Sequence, residues 1–165
     1  ALRVDGSSRF GPSQRYGYFP EVSFRYRLSG EPFMKQFSGW LDELSFRGGI
    51  GLTGTGPGSD YSFYSTYVSS STNYLGLAGL YPTGIKLDNL RWETTVGKDI
   101  GMNLIVFKNR LNIDVDFYNR RTRDLITPNL SISSYNGFSS VTLNSGTLDN
   151  QGFEEIGRAS CRERV

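Results

Sequence analysis

Leu111-Asn112-Ile113-Asp114-Val115-Asp116-Phe117-Tyr118 alternates apolar and polar side chains without a break. Successive side chains on a β-strand point to opposite faces, so Leu111, Ile113, Val115 and Phe117 share one face. Asn112, Asp114 and Asp116 share the other. The stretch from Trp92 to Leu104 keeps the same period of two. Acids on one face and hydrocarbon on the other describe a sheet between a greasy medium and a wet one. The greasy side is a protein core or a lipid bilayer.

Composition narrows the classes. A membrane helix needs about 20 consecutive apolar residues, and no run in this chain approaches that. A membrane β-strand needs only about 10 alternating residues, so a mean hydropathy of -0.38 leaves a barrel open. Twenty glycines, ten tyrosines and eleven phenylalanines favour β structure with long loops. A net charge of +2 gives no argument for nucleic acid. Histidine is absent, which removes the commonest general base and metal ligand, and no metal site or cofactor is expected.

The same alternation recurs along the chain. From Gly17 to Leu28, Val22, Phe24 and Tyr26 face one way while Arg25 and Arg27 face the other. Leu44, Phe46, Ile50 and Leu52 alternate with Ser45, Arg47, Gly49 and Thr53. Leu2–Asp5 reads as a strand, 6–15 as a loop, and Pro32 sits where a short helical turn begins. Phe107-Lys108-Asn109-Arg110 predicts a tight hairpin between strands 92–106 and 111–125. The pattern dissolves from Gly54 to about Asp88 and again from Thr127 to Ser140, and a further strand is predicted from Val141 onward. Long loop, strand, tight turn, strand, long loop is the meander of a barrel wall. Trp92 and Phe107, at opposite ends of one strand, are candidates for two interfacial aromatic girdles. A β-sandwich with aromatics in its core explains the alternation equally well, but explains the strand length and the loop asymmetry less well.

Leu2 to Gly11, Gly17-Tyr18-Phe19-Pro20, Glu31-Pro32-Phe33-Met34, Leu44 to Gly54 and Leu90-Arg91-Trp92-Glu93 form one ordered series. Asn109-Arg110-Leu111, Asp116 to Ile126 and Asn144 to Glu154 continue it. The series resembles the SusC/RagA-type TonB-dependent outer-membrane transporters. That resemblance implies part of an antiparallel up-and-down transmembrane β-barrel with long outward loops, one of about 22 strands around a plug. It implies import of oligosaccharides or peptides across the outer membrane of a Gram-negative bacterium. The partners implied are a SusD-like surface lipoprotein, the TonB complex acting through a plug, and outer-membrane lipid. The alternatives from other classes are a soluble β-sandwich carbohydrate-binding module and a passive porin.

On this reading Val22, Phe24, Leu111, Ile113, Val115 and Phe117 face lipid. Arg25, Arg27, Arg47, Asn112, Asp114 and Asp116 face the lumen. Tyr61, Phe63, Tyr64, Tyr67, Tyr74 and Tyr81 crowd the first long loop, where rings with polar handles suit ligand or lid contact as well as loop packing. Asp114 and Asp116 are about 7 Å apart along the strand, a spacing that glycoside hydrolases also use. Solvation, or pairing with basic residues of a plug, is the plainer expectation, and no covalent chemistry is expected. Gly49-Ile50-Gly51-Leu52-Thr53-Gly54 fits a dinucleotide fingerprint, but Thr55-Gly56-Pro57-Gly58 breaks the helix that the fingerprint requires. Arg120, Arg121 and Arg123 are read as solvated, with anionic lipopolysaccharide as the alternative contact. Glu155–Val165 holds the only cysteine, Cys161, and resembles the translation of a common sequencing-adapter read. Residues 1–154 are therefore read as the barrel fragment, cut from something larger, and 155–165 as a non-native tail.

Overall fold

Alternation of period two over a dozen residues yields long strands, and five of them dominate a computed structural model. The structure describes residues 1–61 and 63–160, with only the backbone given for 72–74. The strands are β1 (Leu2–Gly6), β2 (Tyr16–Arg27), β3 (Leu41–Thr55), β4 (Tyr67–Tyr74), β5 (Leu77–Pro82), β6 (Glu93–Val106), β7 (Leu111–Arg123), β8 (Ile126–Ser131), β9 (Ser140–Asn144) and β10 (Thr147–Ala159). Six of these form one antiparallel sheet in the order β1-β2-β3-β6-β7-β10. Each neighbour in the sheet is the next wall strand along the chain, which makes an up-and-down meander. β4–β5 and β8–β9 are separate hairpins set into the long loops.

Loop length divides the two ends of the sheet. Segments 7–15, 56–92 and 124–146 leave from one end, and 28–40 and 107–110 from the other. The wall strands run to 12, 15, 14, 13 and 13 residues. Strands in globular proteins usually run about 5–6 residues, whereas about 9–11 cross a bilayer. These strands are long enough to cross.

No second layer covers either face of this sheet among the described residues. Val22, Phe24 and Ile100 are 68%, 61% and 62% exposed, respectively. A sandwich would bury that apolar face against another sheet about 10 Å away. The soluble-sandwich alternative therefore has no counterpart in the fold.

The short turn is specified from outside as much as from within. Phe107, Lys108 and Asn109 all have positive φ, at 58°, 57° and 61°, the left-handed region that suits the twist of a hairpin. None is glycine, and left-handed backbone costs about 1–2 kcal/mol per residue. Neighbouring chain offsets this. The Phe107 N–H donates to the Trp40 carbonyl at 2.7 Å and the Arg110 N–H to Val106 at 3.2 Å. Asp42 sits where β3 slips register between Leu41 and Glu43, and its carboxylate accepts from the Asn109 N–H at 3.0 Å.

Three sequence expectations change. The featureless loop after Gly54 contains the β4–β5 hairpin, closed at Leu75-Gly76 with φ of 50° and 77°. The polar stretch from Thr127 contains β8. The strand from Val141 is two strands, because Gly146, at φ 101°, turns the chain between β9 and β10. Residues 155–159 of the expected tail pair in register with β7, Glu155 opposite Val115 and Ala159 opposite Leu111. An open edge offers backbone N–H and C=O groups to any extended segment, whatever its side chains. Cys161 lies outside the described residues.

Candidate ligand-binding surface

Register decides which side chains meet. Across β6 and β7, Asn103 is opposite Asp114, Gly101 opposite Asp116 and Asp99 opposite Tyr118. Across β3 and β6, Arg47 is opposite Gly101 and Ser45 opposite Asn103. Across β2 and β3, Arg25 is opposite Arg47 and Arg27 opposite Ser45. All six expected lumen-facing residues, Arg25, Arg27, Arg47, Asn112, Asp114 and Asp116, thus lie on one polar face. The six expected lipid-facing residues, Val22, Phe24, Leu111, Ile113, Val115 and Phe117, lie on the other.

Arg25 directly opposite Arg47 is unfavourable for a cross-strand pair. Each guanidinium turns away to an acid. Arg25 donates to Glu43 at 2.8 Å, and Arg27 reaches the same carboxylate at 4.0 Å. Arg47 reaches across β6 to β7, where it pairs with Asp116 and with Asp114 at 3.3 Å. Asn103 donates to both Asn112 and Asp114 at 3.0 Å. The result is a charge-neutral ladder of three arginines and three acids over four strands. Asp114 and Asp116, expected to be solvated or to pair with a plug, share Arg47 within the wall.

Gly101 makes that pairing feasible. A Cβ at residue 101 would collide with an Asp116 carboxylate oxygen and stand 2.7 Å from Arg47 Nε. Gly101→Val is expected to sever the Arg47–Asp116 bond and destabilise the fold by about 1–3 kcal/mol. Urea titration of the full-length protein checks this, with Gly97→Val, whose Cβ would meet only the Gly51 carbonyl at 4.0 Å, as the control; equal midpoints would refute it.

Beyond the ladder, toward the long-loop end, the polar face hollows into a groove of about 700 Å³. Gly49, Gly51 and Gly97 form its floor, with Glu21, Asp99 and Arg120 at its margins. Residues 49–55 are strand throughout, so the glycine pattern supplies a bare floor and no phosphate-cradling helix terminus.

Above the groove the long loops have their own small core. Phe10, Phe63, Leu90 and Phe19 are buried. Trp92 packs its ring against Phe10 at 4.7 Å between centroids and against Phe19 at 5.7 Å. Arg9 ties this cluster down through Asp60 at 2.7 Å and the Pro57 carbonyl at 3.1 Å. Trp92, expected at a girdle, is thereby drawn into loop packing. Phe107, the other girdle candidate, is exposed in the short turn, close to Trp40, itself exposed. Trp40, whose edge meets Phe37 at 6.4 Å, escaped the sequence reading because it sits in no alternating run.

Of the six loop aromatics, Phe63 is only 3% exposed and serves the loop core. Tyr61, Tyr64, Tyr67 and Tyr81 are exposed; the Tyr74 side chain lies outside the described residues. The loops are joined by Asn144. Its amide donates to the carbonyls of Asp124 at 2.7 Å and Arg91 at 2.8 Å, and accepts from the Arg91 N–H at 2.9 Å. Arg91 in turn pairs with Asp124 at 2.6 Å, and that hydrogen bond raises its guanidinium pKa above the ordinary value.

Residues 1–155 match the family model described as TonB dependent receptor-like, beta-barrel. The chain is 34% identical over 154 residues to a TonB-dependent receptor of Formosa agariphila, covering 93% of this chain and 14% of the relative. It is 30% identical over 164 residues to the TonB-dependent receptor SusC of Bacteroides thetaiotaomicron, covering 93% and 16%. Among solved structures it is similar to the RagAB peptide importer in its open-open state. That match has a TM-score of 0.88 at 26% identity and covers 99% of this chain and 18% of the other. The chain therefore spans about one-seventh of the length of these curated relatives. The expected fold class, part of an antiparallel up-and-down transmembrane β-barrel with long outward loops, is the observed one.

Proposed function

Because the chain belongs to the TonB-dependent receptor-like β-barrel family, we propose that it supplies barrel wall and outward loops to an importer of oligosaccharides or peptides in the outer membrane of a Gram-negative bacterium. The observation that carries this reading is the two-faced sheet: an uncovered apolar face behind an ion-paired polar face. Such a wall suits lipid on one side and a wet lumen on the other. In this proposal Val22, Phe24, Leu111, Ile113, Val115 and Phe117 touch hydrocarbon. Arg25, Arg27, Arg47, Asn112, Asp114 and Asp116 line the lumen, where a plug moves against a charge-balanced surface.

Tyr61, Tyr64, Tyr67 and Tyr81 are the proposed capture residues. A tyrosine ring offers an apolar face to a sugar or peptide and a hydroxyl to its polar groups. A SusD-like lipoprotein would close over the loops, and the TonB complex would act through the plug. The likeness to RagAB, a peptide importer, supports the peptide half of the proposed cargo.

The test uses the full-length receptor in cells. Tyr64→Ala/Tyr67→Ala/Tyr81→Ala is expected to cut uptake of labelled oligosaccharide or peptide mixtures at least tenfold while the barrel keeps its heat-modifiable gel mobility. Uptake at the parental rate would overturn the capture role. Recovery of the receptor in the soluble periplasm would overturn the transport reading itself.

A further inference from the structure

The apolar face of the sheet does not stay apolar to its outward end. Ile100, Phe117 and Phe153 form one row across β6, β7 and β10. The next row on the same face runs Val22, Ile50, Lys98, Asn119 and Gln151, and Arg121 and Arg123 follow on β7. The face stays apolar on β2 and β3 and turns polar on β6, β7 and β10.

The face is hollow at this boundary, with a concavity of about 1120 Å³. Phe24, Ile50, Ile100 and Phe117 line its apolar half; Lys98, Arg121 and Arg123 line its polar half. Gly48 carries no side chain, and the Phe24 ring lies across it, where a Cβ would come within 2.8 Å, so the ring becomes part of the apolar lining.

Charge at the rim is unbalanced. Arg121 pairs with Asp149 at 3.1 Å. Neither Lys98 nor Arg123 takes part in an ion pair among the described residues, and both are exposed. Their sister Arg120, on the opposite face, instead lies over the Tyr118 ring at 5.6 Å. Asp99 also borders the hollow, but its carboxylate lies beside Gly49 on the opposite face, so on this face three cations stand against the single acid Asp149 at the edge of the apolar hollow. Arg121 and Arg123 are separated by about 7 Å along the strand, a span that two guanidinium forks bridge through one phosphate.

We propose that this hollow seats a phosphorylated amphiphile of the outer leaflet, with its phosphate on Lys98, Arg121 and Arg123 and an acyl chain along Phe24, Ile50, Ile100 and Phe117. The proposal rests on the membrane reading above. Charge complementarity selects the head, and continuity with the apolar band selects the tail. A free anion would have no use for the apolar half, and an uncharged lipid none for the cations.

Full-length receptor in nonionic detergent is incubated with phosphatidic acid, with diacylglycerol of the same acyl chains, or with inorganic phosphate, and retained ligand is read by native mass spectrometry. Phosphatidic acid is expected to be retained at least tenfold better than either of the others. Lys98→Gln/Arg121→Gln/Arg123→Gln is expected to lose that preference, and Arg120→Gln to keep it. Equal retention of diacylglycerol, displacement of phosphatidic acid by inorganic phosphate alone, or an unchanged triple variant would each overturn the site. If the triple variant fails to fold, Arg123→Gln, at the strand end, replaces it, with a severalfold loss expected and no loss refuting the site. Heat-modifiable mobility separates the two readings: its absence in the parental receptor defeats the barrel, whereas its presence without phosphate preference defeats only the lipid site.

Discussion

Val115→Arg is expected to lower the stability of the full-length receptor in lipid by about 2–4 kcal/mol, the cost of a cation on the lipid face near mid-bilayer. Val115 lies opposite Met102 on the apolar face, midway between the short turn and the cationic row at Lys98. Asn112→Arg, on the polar face of the same strand, is the control; it gives up the hydrogen bond from Asn103 and is expected to cost about 1 kcal/mol, the net worth of such a bond. Urea unfolding of both variants in phospholipid vesicles decides between them. Equal losses would mean that Val115 and Asn112 see the same medium, and the assignment of faces would fail.

The faces were legible in the sequence because each strand declares its own parity. Leu111 to Phe117 sort themselves with no knowledge of any neighbour, and so do Val22, Phe24 and Arg25. Which strand lies two places away is a different kind of fact. Nothing local to Arg47 names Asp116, 69 residues on. Gly101, which makes room for the contact, has no side chain with which to signal a face. Glu43 was equally silent, since the register slip beside Asp42 breaks the count that would place it with Arg25.

The loop hairpins were missed for a physical reason. β4 reads Tyr-Val-Ser-Ser-Ser-Thr-Asn-Tyr, with no apolar alternation, and none of its described side chains, 67–71, is buried. Phe63 gave no sign of being inside, as its neighbours Tyr61 and Tyr64 have the same composition and point outward. Trp92 looked like an interfacial anchor from its place at a strand end. Only the return of Phe10 and Phe19 to the same spot, from more than 70 residues earlier, makes it a packing residue.

The loop cluster yields the second large effect. Phe10 is fully buried, and Phe10→Ala is expected to destabilise the cluster by about 3–5 kcal/mol, through lost burial and the cavity left beside Trp92. The loss should be local, because Phe10 packs on Trp92 beside Gly56 and takes no part in the ion pairs of the wall. Hydrogen exchange of the full-length receptor is expected to show faster exchange in 56–92, with β6 and β7 protected as before. Unchanged exchange in 56–92 would show that the aromatic cluster does not hold these loops. Faster exchange together with weakened uptake would link loop order to capture by the exposed tyrosines.

The left-handed turn at Phe107–Asn109 fixes more than a change of direction. It sets an odd-even count that every residue of β7 inherits, since a slip of one position exchanges the two faces of a strand. One added residue there would carry Asp114 and Asp116 to the apolar face and Ile113 and Val115 to the polar one, with no atom of those side chains altered. Four residues of hairpin thus act as the counting device of the wall, which explains why strained backbone persists where glycine would have been easier: the length is tied down by Trp40 and Asp42, and the count is held with it.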